Sequence, residues 1–185
     1  MTIWFTSDEH YKHKAILKHC PGRFEEFGSI DKMEGGFISR HNEVVKPDDV
    51  VWHIGDFCWL RADNRNYYEV LMSKLNGEHH LVLGNHDYCN PFYYVDIGFT
   101  TVHTAQQLTI NKYNIMMSHD PCVYTKSYND SYILLCGHVH TLFKFIPDKR
   151  VVNVGVDVWK YYPISLETII DTLEQNAKRK EKLDT

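Results

Sequence analysis

Paired cysteines are missing from this 185-residue chain: Cys20, Cys58, Cys89, Cys122 and Cys136 are scattered, odd in number and never spaced as C-x-x-C. That excludes a disulfide framework and a thiolate zinc module and points to reduced thiols. Apolar runs stay well short of the roughly 20 residues a membrane span needs. The N-terminus enters a strand pattern directly, without the basic start, apolar stretch and small-residue cleavage site of a secretory signal. The expectation is a cytoplasmic protein that does not contact a membrane. Basic charge is not in excess either, since 20 Lys and Arg against 24 Asp and Glu leave a net charge of −4. No field exists to hold a long nucleic-acid backbone, and an anionic ligand would need local positive charge, which bound metal ions can supply. Repeats, low-complexity segments and linkers are also lacking, so residues 1–185 are expected to form one domain, long enough to bury a core unaided.

What is present is one recurring pattern, a short apolar run that stops in a polar cluster. Leu81-Val82-Leu83 runs into Gly84-Asn85-His86-Asp87, Ile3-Trp4-Phe5-Thr6 into Ser7-Asp8-Glu9-His10, and Val50 to Ile54 into Gly55-Asp56. Ile115-Met116-Met117 runs into Ser118-His119-Asp120, and Ile133 to Cys136 into Gly137-His138-Val139-His140. Apolar residues in a strand are buried, whereas the polar residues at its end must face solvent, a ligand or a metal. Taken singly, each of these residues is an ordinary turn former or surface histidine. Five in succession, in a chain with 12 histidines, point to one site.

Between the strands, residues from Tyr11 to Cys20 read as a weak helix closed by the breaker Cys20-Pro21-Gly22. Ser29 is placed to cap a helix carrying Ile30, Met33, Phe37, Ile38, His41 and Val44, with Gly35-Gly36 inside it. A further helix starts at Asp63 or Asn64 and ends at Asn76-Gly77, and the aromatic stretch from Tyr88 to Gly98 is a loop or short helix. Gln107–Ile110 and Tyr113–Met117 read as a hairpin turned at Asn111-Lys112, followed by strands at 132–136, 141–146 and 151–154. A closing helix over 165–175 buries Ile169, Ile170 and Leu173 before the charged end from Lys178 to Lys182. Alternating strands and helices followed mainly by strands indicate an α/β sandwich with mixed sheets, in which ligands bind beyond the strand ends.

Seven side chains at those ends are metal donors: Asp8, His10, Asp56, Asn85, His119, His138 and His140. The set mixes oxygen and nitrogen without thiolate, which suits Mn, Fe, Zn or Ni better than a structural zinc. Seven donors with one shared carboxylate suggest two divalent ions, a pair able to hold a phosphoryl oxygen and activate a water.

Asp8-Glu9-His10, Gly55-Asp56, Gly84-Asn85-His86-Asp87, His119 and Gly137-His138-Val139-His140 resemble, in order, the five blocks of the calcineurin-like metallophosphoesterase superfamily. The resemblance covers roughly residues 2 to 157, and is closer to short bacterial and phage-encoded members, which carry a stretch similar to Gly155-Val156-Asp157-Val158-Trp159. It implies a two-layer mixed β-sandwich flanked by helices, α/β/β/α in order, and a cytoplasmic location in a bacterial cell or phage-infected host. It further implies that Asp8, His10 and His140 bind one ion, that Asn85, His119 and His138 bind a second, and that Asp56 bridges them, with manganese favoured. A hydroxide held between the ions would be the nucleophile, His86 would protonate the leaving group, and Asp87 would orient His86 by hydrogen bonding.

Outside the motifs, His13 is expected to approach the site, and Arg23 with Phe24 to clamp a phosphate and stack a base. Trp59, Tyr88, Phe92, Tyr93 and Tyr94 are candidates for a nucleoside pocket, whereas Asp157 and Trp159 read as structural. The compact chain favours a small phosphodiester such as a nucleotide or cyclic nucleotide. A phosphomonoesterase or protein phosphatase would share the same metal core, and relatives that lose ligands serve as noncatalytic scaffolds. In this chain all seven donors and His86 are present.

Overall fold

The structure is a computed structural model and describes residues 1–59, 64–123, 131–146 and 149–183. The first sheet follows the order β10-β1-β2-β3-β4. Its strands are β1 (Ile3–Thr6), β2 (Val50–His53), β3 (Glu78–Val82), β4 (Thr101–His103) and β10 (Ile164–Ser165). β1 to β4 run parallel, with Phe5 opposite Trp52 and Trp52 opposite His80, while β10 pairs antiparallel to β1. The second sheet follows β5-β6-β7-β9-β8, from β5 (Gln106–Ile110), β6 (Tyr113–Met117), β7 (Tyr132–Cys136), β8 (Phe145–Ile146) and β9 (Val151–Asn153). β6, β7 and β9 are parallel, and the β5–β6 hairpin turns through Asn111 at φ 55°, the left-handed geometry such turns require.

Alternation along the strands builds two cores. Phe5, Trp52 and Val82 of the first sheet meet Ile115, Met117, Ile133, Leu135 and Val152 of the second between the layers. The opposite face of the first sheet contributes Leu81 to a cluster covered by helices. These helices are α1 (Ile16–His19), α2 (Pro21–Phe27), α3 (Ile30–Val44), α4 (Arg65–Met72) and α5 (Pro91–Asp96). The last helix, α6 (Leu166–Leu183), starts at Ser165, whose Oγ accepts from the Thr168 amide, and seats Ile169 against the inter-sheet core. The fold is thus the expected mixed two-sheet sandwich flanked by helices. Among the described residues no helix is long and apolar enough to cross a membrane.

Several boundaries differ from the sequence reading. The first helix closes at Cys20 as expected but covers only Ile16–His19, and Pro21 also opens α2, because a proline at the first helical position gives up no intrahelical hydrogen bond. Ser29 does cap α3, and Gly36 inside it is required, since a Cβ there would run into the Phe27 ring. Only Phe145–Ile146 of the expected strand 141–146 is extended, and the short strands β4 and β10 were not foreseen. Asp63, the alternative start of α4, lies outside the described residues, as do the side chains of the charged end, although the α6 backbone continues to Leu183.

Beneath the first sheet lies a histidine cluster. His41, His53 and His79 are buried, and the acceptors fix their protons. His79 Nε2–H points to the Leu75 carbonyl at 3.4 Å, which leaves Nδ1 to accept from His53 Nε2 at 3.0 Å. His53 Nδ1, 2.6 Å from Glu9 Oε1, then accepts from a protonated Glu9. Burial agrees, raising Glu9 to about 7 and lowering His53 to about 3, His79 to about 2 and His41 to about 4. The depressed histidine values make the unfolded chain the better proton binder below about pH 6.5, so stability these residues hold at neutral pH is lost as pH falls through that window, while Glu9, raised to about 7, works in the opposite sense and offsets part of the loss. From pH 7 to pH 5 each such histidine is expected to cost about 2 kcal/mol. Urea unfolding across this range checks this, and His41→Gln should flatten the slope by nearly one proton; an unchanged slope would remove His41 from the account.

Candidate metal centre

Parallel strands deliver their C-terminal ends to the same edge of a sheet. The turns after β1, β2 and β3 carry Asp8, His10, Asp56 and Asn85, and those after β6 and β7 carry His119, His138 and His140. Hydrogen bonds tie the turns of the first sheet to one another and to those of the second. The Ser7 hydroxyl donates to the Ile54 carbonyl at 2.6 Å, the His119 Nδ1–H donates to the same carbonyl at 2.8 Å, and the His138 amide donates to the Asp8 carboxylate at 3.0 Å. Contact this close requires glycine at two turns: a Cβ on Gly137 would collide with Ser7 and Asp8, and one on Gly84 with Asp56.

Backbone conformation marks the same residues. Asp8, His10, Asp56, His138 and His140 all have φ between 45° and 69°, the left-handed region. Each such non-glycine residue costs on the order of 1–3 kcal/mol, and clusters of them are found at functional sites.

Two donor groups result. Asp8, His10 and His140 converge, as do Asp56, His119 and His138, each set with its ligand atoms within 4.8 Å of one another. Asn85 joins the second, its Oδ1 2.9 Å from His138 Nδ1. Asp56 lies between the groups, with Oδ2 3.2 Å from His119 Nε2 and 3.5 Å from His10 Nε2.

The fit to divalent ions rests on those two nitrogens. Both are buried and neither finds a hydrogen-bond partner, a cost of about 1–3 kcal/mol each. His119 donates through Nδ1, so its Nε2 turns a lone pair toward a carboxylate. Either a proton or a cation resolves that arrangement. Without an ion, burial works against the proton but Asp56 outweighs it and raises His119 to about 9; burial likewise opposes ionisation of Asp56, which His119 and His10 still hold down to about 2. A divalent ion would displace the proton and satisfy both atoms. The buried Cys20, His140 and Asp157 form a further cluster, but Asp157 is already engaged by the Arg23 guanidinium, whose charge disfavours a cation there.

His86 stands at the rim, half-buried, with Nε2 3.9 Å from Asp56 Oδ2. Its Nδ1 meets the Tyr88 hydroxyl at 2.8 Å, and Asp87 does not touch it. Asp87 is instead buried and accepts three amides, from Asp56 and Gly84 at 2.8 Å and from Phe57 at 3.1 Å, so it ties the β2 turn to the β3 turn. The expected orienting role therefore passes to Tyr88. Arg23 also departs from expectation. It is fully buried, pairs with Asp157 at 2.7 Å and donates to the Asp8 carbonyl at 2.6 Å, so it cannot reach a substrate phosphate. Phe24 next to it is exposed on the surface of α2. His13 does lie near the site, Nδ1 to Nδ1 3.2 Å from His10, but it is buried and stacked on Trp59 with centroids 3.8 Å apart.

The residue that sequence reasoning passed over is Asp157, read as merely structural. Its Oδ2 accepts from His140 Nδ1 at 2.9 Å, which turns His140 Nε2 toward the first donor group. Burial would raise this carboxyl, yet Arg23 and His140 hold it well below the usual carboxylate range. Its signal was the Gly155-to-Trp159 stretch. A cleft of about 340 Å³ opens beside the second group, lined by Leu83, Asn85, Thr104, Ser118, His119 and His138 among others. Among the described residues, neither lysine nor arginine lines it.

Comparison with known proteins accords with this geometry. Residues 1–160 match the profile of the calcineurin-like phosphoesterase superfamily domain. The uncharacterised protein MJ1445 of Methanocaldococcus jannaschii is 30% identical over 179 residues, covering 94% of this chain and 92% of its own. Gene 66 protein of Mycobacterium phage L5 is 26% identical over 184 residues, covering 84% and 86%. The crystal structure of AQ665, a protein of unknown function from Aquifex aeolicus, has a TM-score of 0.72 at 29% identity, over 93% of this chain and 98% of that one. The chain belongs to the calcineurin-like phosphoesterase superfamily, a family of metal-dependent phosphoesterases.

Proposed function

We propose that this protein is a phosphodiesterase acting on a small phosphodiester such as a nucleotide or cyclic nucleotide, in the cytoplasm. The observation that carries the reading is the placement of Asp56 Oδ2 between two buried imidazole nitrogens that have no other partner. Asp8, His10 and His140 would hold one divalent ion, Asn85, His119 and His138 the other, and Asp56 both, with manganese favoured for this oxygen and nitrogen set. Two such ions, when bound, supply an activated water and neutralise charge on the phosphoryl group. His86, at the open rim with Tyr88 fixing its Nδ1, is placed to donate a proton from Nε2 to the leaving oxygen. Among the described residues the cleft carries neither lysine nor arginine, so the ions would be its main source of positive charge, which favours a monoanionic diester over a dianionic monoester.

Purified protein should hydrolyse a generic aryl phosphodiester faster than the matching monoester in manganese, and chelator should abolish both activities. Preference for the monoester would move the reading to a phosphatase with the same centre. Silence on both with two ions bound would leave a scaffold or a highly selective pocket.

A further inference from the structure

Arg23 is the largest fully buried side chain among the described residues, and each of its hydrogen bonds leads to the candidate metal centre. Nε and Nη2 grip the two oxygens of Asp157, each at 2.7 Å, in the two-pronged geometry that guanidinium and carboxylate share. Nη2 also donates to the Asp8 carbonyl at 2.6 Å and Nη1 to the Glu9 carbonyl at 3.2 Å. Asp157 in turn accepts from His140. Helix α2 thereby reaches both sheets at once: the turn after β1, which presents Asp8 and His10, and the turn after β7, which presents His140. Neither turn could hold its left-handed backbone against solvent as easily without this brace.

Among the described residues no carboxylate stands behind a ligating histidine of the other donor group, whose turns are braced instead through Asp87. His119 donates to a neutral carbonyl, that of Ile54, and His138 is exposed with only the neutral Asn85 amide at its Nδ1. A carboxylate behind a ligating histidine fixes the ring and makes it a stronger donor, and losing such a partner typically weakens metal binding by 10- to 100-fold. We propose that Arg23 and Asp157 form a positioning pair for the ion held by Asp8, His10 and His140, and that they make this the tighter and first-filled of two unequal ion positions. The inference rests on the ion assignment proposed above. Neither residue touches the ion or the substrate.

Titration of the chelator-stripped protein with manganese, followed by calorimetry and by elemental analysis of bound metal, tests this. Wild type should fill in two steps, and His140→Ala and His119→Ala identify which step belongs to which position. Asp157→Asn should weaken the tighter step about 10- to 100-fold and shift the weaker one by less than about twofold. Arg23→Lys, which keeps the charge but not the two-pronged grip, should weaken the tighter step less and melt below wild type while still folded; it carries the test if Asp157→Asn does not fold. An unchanged tighter step in either folded variant would overturn the proposal, as would equal weakening of both steps. Failure of wild type to bind manganese at all would overturn the ion assignment itself, and the two failures are distinguished by the wild-type titration alone.

Discussion

Asp56→Asn is expected to lower turnover of the aryl diester by at least about a thousandfold, on the order of 4 kcal/mol in the barrier, while leaving the metal-free protein as stable as before. Asp56 Oδ1 accepts the His86 amide at 2.8 Å, and an asparagine oxygen can keep that bond. Its NH₂ then falls where Oδ2 stood, facing the unpartnered Nε2 atoms of His10 and His119. In the metal-free protein the exchange trades the protonated His119–Asp56 pair for a neutral amide-to-imidazole hydrogen bond, so melting in chelator should change little. The same donor closes the place between the two groups to a cation and removes the one anionic oxygen they share. Rate measurements in manganese and calorimetric melting in chelator give the two halves. Turnover within tenfold of wild type would mean that Asp56 is not shared between ions.

Asp87→Ala has the largest expected effect on stability. The buried carboxylate accepts the amides of Asp56, Phe57 and Gly84, and its removal strands three donors at the junction of two turns. The loss should be about 3–5 kcal/mol, read by urea unfolding in chelator so that ion binding does not mask it. Asp87→Asn retains one oxygen acceptor and should fall between wild type and alanine. Activity falls as well, because the turns that separate carry Asp56 and Asn85. If alanine left stability unchanged and lowered only the turnover number, Asp87 would act on His86 after all, contrary to the contacts observed.

The split between what the sequence disclosed and what it did not follows the range of the interactions. The apolar runs ending in polar clusters were legible because burial of a strand and exposure of its end are local demands, and the structure brings all seven motif donors to one edge. The hairpin at Asn111 and the Ser29 cap were legible for the same reason. Arg23 was not: its partner Asp157 is 134 positions away, and nothing in the spacing distinguishes a buried guanidinium bracing a turn from an exposed one gripping a phosphate. Asp87 misled in the opposite way, since its nearness to His86 in sequence suggested a contact, whereas its carboxylate turns back to the amides of Asp56 and Phe57 after β2 and of Gly84. Pro21 was ambiguous in principle, because the same ring stops one helix and starts another.

The left-handed backbone at Asp8, His10, Asp56, His138 and His140 restricts what these positions can become. Among residues other than glycine, Asp, Asn and His tolerate this conformation best, and β-branched or bulky side chains tolerate it worst. Steric preference and coordination chemistry thus select overlapping alphabets at the same five positions. A lineage that abandoned metal chemistry would still find valine or isoleucine barred there by the main chain. Its least strained replacements are glycine and asparagine, and a relative carrying those residues at these turns would display relaxed coordination on an unaltered scaffold.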